Sequence, residues 1–75
     1  MNVTVKSDSE DIRIYIENIL HLRIPRDKNV KLQSWIESDS KTFVIELFIN
    51  NHLDQMVYDN KELWCSILKV LDEHL

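Results

Sequence analysis

The most committed stretch of the chain is residues 42–50, an apolar run broken only by Glu46 between positions 43 and 49. Phe43, Ile45, Leu47 and Ile49 share one face at period two, and Val44, Glu46, Phe48 and Asn50 share the other. β-Branched and aromatic side chains dominate the stretch and no turn residue interrupts it, so it is expected to form the central strand of a small sheet. Val30, Leu32, Ser34 and Ile36 alternate against Lys31, Gln33, Trp35 and Glu37, which predicts a half-buried neighbouring strand. Ser38-Asp39-Ser40-Lys41 supplies a four-residue turn of type I character between them. That loop length sets the register. It pairs Ile36 with Phe43, Ser34 with Ile45, Leu32 with Leu47 and Val30 with Ile49 on the core face, and Trp35 with Val44, Gln33 with Glu46 and Lys31 with Phe48 on the other.

Asn50 and Asn51 tolerate positive φ and mark the next reversal, after which residues 52–58 return as a third strand. A two-residue loop puts Met56 and Tyr58 on the core face; a three-residue loop puts Leu53 and Val57 there and Met56 and Tyr58 outside. The second is expected, because the first sets Asp54 opposite Leu47 in the core.

Residues 2–6 alternate briefly, as either a short edge strand or a frayed terminus would. Ser7 followed by Glu10 has the spacing of a capping box, predicting a helix from near Asp8 to about Leu22 or Arg23, before Pro25. Ile12, Ile16, Ile19 and Leu20 form its stripe, with Tyr15 and Leu22 at the edge and Ile14 off it. Ile12, Ile14, Ile16 and then Leu20, Leu22, Ile24 also alternate as strands would; the cap, the Arg13–Glu17 pair and the length favour the helix. Asp59 with Glu62 opens a second helix, from Asn60 to about Glu73, whose Leu63, Trp64, Ile67, Leu68, Val70, Leu71 and Leu75 fill one arc. The fold class expected is α+β: one domain over residues 1–75, a two-layer sandwich of a three-stranded antiparallel meander with two helices on one face, αβββα, or βαβββα with an N-terminal edge strand.

Composition narrows the chemistry. With 44% hydrophobic and 29% charged residues the chain has the balance of a soluble globular protein, without the ~20-residue apolar run of a spanning helix. Met1 leads into polar residues and not into a signal-peptide pattern, so a cytoplasmic location is expected. The absence of glycine excludes Walker A and GxGxxG loops, and a single cysteine excludes an internal disulfide. His21, His52 and His74 have no metal-ligand spacing, so neither metal nor cofactor is expected. A net charge of −4 disfavours phosphate backbones and anionic lipid as partners.

Cys65 lies inside the second helix, away from its N-terminus, and reads as a packing residue, not a nucleophile. His52 and Asp54 share a strand face but lack a serine or cysteine to complete a triad, and His21 with Glu17 is at most a surface pair. No enzymatic activity is expected. Both helices covering the Phe43 face would leave Trp35, Val44 and Phe48, with Met56 and Tyr58, on an open face flanked by Lys31, Glu37 and Glu46. A small non-enzymatic interaction protein follows, a homodimer or an inhibitor or adaptor of another protein, using Trp35, Val44, Glu46, Phe48, Met56 and Tyr58. The alternative is RNA or single-stranded DNA binding through Arg23, Arg26, Lys28 and Lys31, with Trp35 and Phe48 as stacking surfaces.

Overall fold

The computed structural model describes residues 2–75. Six antiparallel strands and one helix follow one another as β1 (Val3–Ser7), β2 (Asp11–Ile16), β3 (Ile19–Pro25), β4 (Val30–Ile36), β5 (Phe43–Ile49), β6 (His52–Tyr58) and α1 (Lys61–His74). They form two three-stranded meanders, β1-β2-β3 and β4-β5-β6. This overturns the expected sandwich of one meander and two helices: the predicted first helix is the β2–β3 hairpin, and residues 3–7 are a strand beside it.

The reason lies in two turns that do not announce themselves. Asp8 Oδ1 accepts the backbone N–H groups of Glu10 and Asp11, and the Asp8 N–H donates to the Asp11 carbonyl. The carboxylate satisfies free amides as a helix cap would, but at a chain reversal. These amides and the Arg13 guanidinium hold the Asp8 carboxyl below its ordinary pKa. Glu17 and Asn18 then make a two-residue turn with φ of 51° and 66°, the type I′ geometry whose twist suits a hairpin. Glutamate is an unusual residue there, which hides the turn from a reading that looks for Asn-Gly or Asp-Gly. With strands on either side, Ile12, Ile14 and Ile16 point one way, and Pro25 ends an edge strand where its missing N–H is tolerated.

The second meander follows the expected β4–β5 register from Val30 opposite Ile49 to Ile36 opposite Phe43. Asp39 stabilises the connecting loop, accepting from the Lys41 and Thr42 amides and the Thr42 hydroxyl. The β5–β6 register is the one passed over. Asn50 and Asn51, at φ 50° and 66°, form a two-residue turn that pairs Ile49 with His52 and Phe43 with Tyr58. Met56 and Tyr58 therefore lie on the core face and Leu53 and Val57 on the outer one. Asp54, opposite Leu47, stays exposed because β6 is an edge strand, so the objection to this register carried no cost.

Helix α1 starts at Asn60, whose side chain accepts the Leu63 amide, one residue beyond the expected cap. It sets Ile67 and Leu71 into the core with Phe43, Ile45 and Leu47 of β5, Tyr58 of β6, and Ile12, Ile14 and Ile24 of the first meander. Trp64 packs on Phe43, ring centroids 5.4 Å apart, and its indole N–H donates to the Val44 carbonyl. The apolar faces of two sheets and one helical stripe thus meet in one core, and the outer face of β4-β5-β6 lies on the opposite side of the second sheet.

Candidate functional site

That outer face is a grid of nine positions, three from each strand of the second meander. The ladder registers set Trp35, Val44 and Val57 in one row, Gln33, Glu46 and Gln55 in the next, and Lys31, Phe48 and Leu53 in the third. An apolar row and a mostly apolar row thus flank a polar one. Val44 at the centre of its row is only 2% exposed, whereas Val57 is 61% and Leu53 46% exposed. Trp35 and Phe48 are half-buried. In the polar row Gln55 Nε2–H donates to Glu46 Oε2 (3.0 Å), and at the rim the Trp35 indole N–H donates to Glu37 Oε1 (3.0 Å).

Of the residues singled out in the sequence, Trp35, Val44, Glu46 and Phe48 are brought together on this face. Met56 and Tyr58 belong to the other side of the sheet; Leu53 and Val57 take their places. The only signal that would have found them was the two-asparagine turn, since a shift of one residue exchanges the faces of a strand.

The basic residues divide between the two meanders and the loop that joins them. The Arg23 guanidinium is bound to Asp11 Oδ2, and Arg26 donates to the Asp8 carbonyl (2.6 Å) and the Ser7 hydroxyl, on the first meander. Lys28 lies in the loop before β4 and Lys31 on the outer face of the second meander. Trp35 and Phe48 lie on the second sheet and Arg23 on the first, while Arg26 and Lys28 line one cavity together with Val30.

Two polar arrangements were not foreseen. Asp11, 7% exposed, sits between Arg13, whose Nε is 3.2 Å from its Oδ1, and Arg23. These three share the outer face of the first sheet, a relation visible only once β2 and β3 are read as strands. Asp11→Asn removes the charge that joins two arginines and should lower the unfolding free energy by about 1–3 kcal/mol. Urea denaturation checks this, and a change within about 0.5 kcal/mol would show the cluster to be a solvated surface network.

The second arrangement joins the sheets. A register shift between Ile14 and Tyr15 leaves His21 as the extra residue of β3. Its Nε2 shares a 2.6 Å hydrogen bond with the Tyr58 hydroxyl, with ring centroids 5.7 Å apart. Burial lowers the His21 pKa from its ordinary value and pushes that of Tyr58 up to about 12. The residues weighed for chemistry are otherwise separate. Cys65 is exposed on α1, His52 and Asp54 are exposed on β6, and among the described residues no three histidine, cysteine or carboxylate side chains gather as a metal site would require. Among the described residues no helix is long and apolar enough to cross a membrane.

No family model, curated protein or solved structure matches this chain.

Proposed function

We propose that this chain is a non-enzymatic, cytoplasmic protein-binding module that docks a protein on the outer face of β4-β5-β6. One observation carries the reading. Apolar side chains from three different strands lie on one face of a sheet whose opposite face holds the core, and Val57 and Leu53 are left 61% and 46% exposed there. A tryptophan and a phenylalanine beside a polar rim are the composition from which binding hot spots are built. Glu46 with Gln55 and Trp35 with Glu37 bind one another in pairs on the face and do not converge on a cavity, which favours surface contact over chemistry on a small substrate.

Trp35→Glu and Val57→Glu test it. Both put a charge on the face while leaving the core residues untouched, so the circular dichroism spectrum and cooperative melting should be retained. The complex captured from an extract of the chain's own source should weaken by about 2 kcal/mol or more in Trp35→Glu, roughly thirtyfold. If both variants capture the same species as the parent chain, with the same affinity, the face is not the binding surface.

A further inference from the structure

The central position of the face sets a requirement on whatever covers it. We propose that its occupant is an amphipathic helix of a basic partner, placing an arginine or lysine over Glu46 and apolar side chains over the rows on either side; this rests on the protein-binding reading of the same face. Glu46 lies at the middle of the nine positions, half-buried, with Val44 and Phe48 two residues away on its own strand. Gln55 satisfies one carboxylate oxygen, and among the described residues the other accepts no hydrogen bond. Lys31 is one row away and forms no ion pair with it. Covering the two apolar rows necessarily takes this carboxylate out of water, which is costly unless the covering surface brings a cation and donors to it.

A second copy of this chain stacked in full overlap does not meet that requirement. For two copies stacked face to face, every two-fold axis lying in the interface and superposing the two grids runs through their common centre. Each one sets Glu46 against Glu46 of the other copy, and two carboxylates brought together in a dry interface cannot both stay ionised. The net charge of −4 acts in the same direction, repelling a copy and steering a basic partner inward.

The dimensions accommodate a helix. Val44 and Phe48 are four residues apart along β5, about 13 Å, with Glu46 midway. A helix rising 1.5 Å per residue spans that distance with anchors at i and i+8, about 12 Å apart, and a cation at i+4. Two strand spacings make the face about 9.5 Å wide, close to the roughly 10 Å diameter of a helix with its side chains.

A displayed library of 15-residue helices, with apolar residues at i and i+8 and all twenty residues at i+4, is selected on the folded parent chain. Clones that also bind Trp35→Glu are discarded. Arginine or lysine should dominate position i+4, and the recovered peptides should bind Glu46→Gln at least tenfold more weakly than the parent. Clones sensitive to Trp35→Glu but indifferent to charge at i+4 would overturn the basic-helix proposal and leave the binding face standing. Absence of any such clone would count against both. Sedimentation equilibrium of the parent at neutral pH should give a monomer; a dimer abolished by Trp35→Glu would replace the helix with a second copy.

Discussion

Ile14→Ala should lower the unfolding free energy by about 2–5 kcal/mol, as much as truncation of Ile45 or Leu47 at the centre of the second sheet. Ile14 is 0% exposed and packs with Ile12, Ile24, Ile67 and Leu71, so truncation removes buried methyl groups and leaves a cavity between the first sheet and the helix. Tyr15→Ala should cost much less. Tyr15 faces outward under the Lys6 ammonium, 5.6 Å from its ring centroid. The order of these two losses separates a strand from a helix at residues 11–16, because a helical stripe sets Tyr15 nearer the core than Ile14. In urea melts, a smaller loss for Ile14→Ala than for Tyr15→Ala would contradict the β2 strand. In a domain of this size each kcal/mol moves the melting temperature by about 4–8 °C, so thermal scans give the same ranking.

Tyr58→Ala should cost about 3–5 kcal/mol, since it removes a core aromatic together with the hydrogen bond that ties β6 to β3. Tyr58→Phe keeps the ring and isolates the hydroxyl, and should cost about 1 kcal/mol. The same pair makes stability depend on pH at both ends. The fold lowers the His21 pKa, so the unfolded chain takes up this proton first. Stability is complete above the ordinary value of 6.5 and declines as pH falls below it, until the folded histidine is itself protonated. Tyr58 works in the opposite direction. Raised from 10.0 to about 12 by burial, it ionises first in the unfolded chain, so stability declines as pH rises through that interval. His21→Gln should remove His21's contribution to the acid decline and Tyr58→Phe that of Tyr58 to the alkaline one, both read from denaturant midpoints across pH. An unchanged acid slope in His21→Gln would show that the ring does not titrate against the fold.

The second half of the chain was legible because its pattern has a single solution. β5 carries seven consecutive strand-forming positions, and a four-residue loop leaves one way to lay β4 beside it. Trp35, Val44, Glu46 and Phe48 follow from that register, and so does most of the candidate face. Residues 8–25 supported two periods at once. Their isoleucines and leucines satisfy both a helical stripe and a strand alternation, and without glycine the turn at Glu17-Asn18 resembles the middle of a helix. Asp8 compounds this, because a carboxylate that accepts successive amides serves a hairpin turn and a helix start alike. The misplacement of Met56 and Tyr58 has a different cause. Its position opposite Leu47 makes Asp54 look like a core residue, whereas the rim of an edge strand keeps its carboxylate in water. Asp11 with its arginines and the His21–Tyr58 bond depend on contacts between elements, and no local periodicity encodes them.

All four strand ladders join strands adjacent in the chain, whereas the core they share is completed by Ile67 and Leu71 from the last element. Hairpins of this kind close within about 1–10 μs. Without α1 the inner faces of both sheets lack the cover that Ile67 and Leu71 provide. Local strand pairing can therefore be complete while the core is not, and a chain cut before α1 would present its apolar inner faces to other chains.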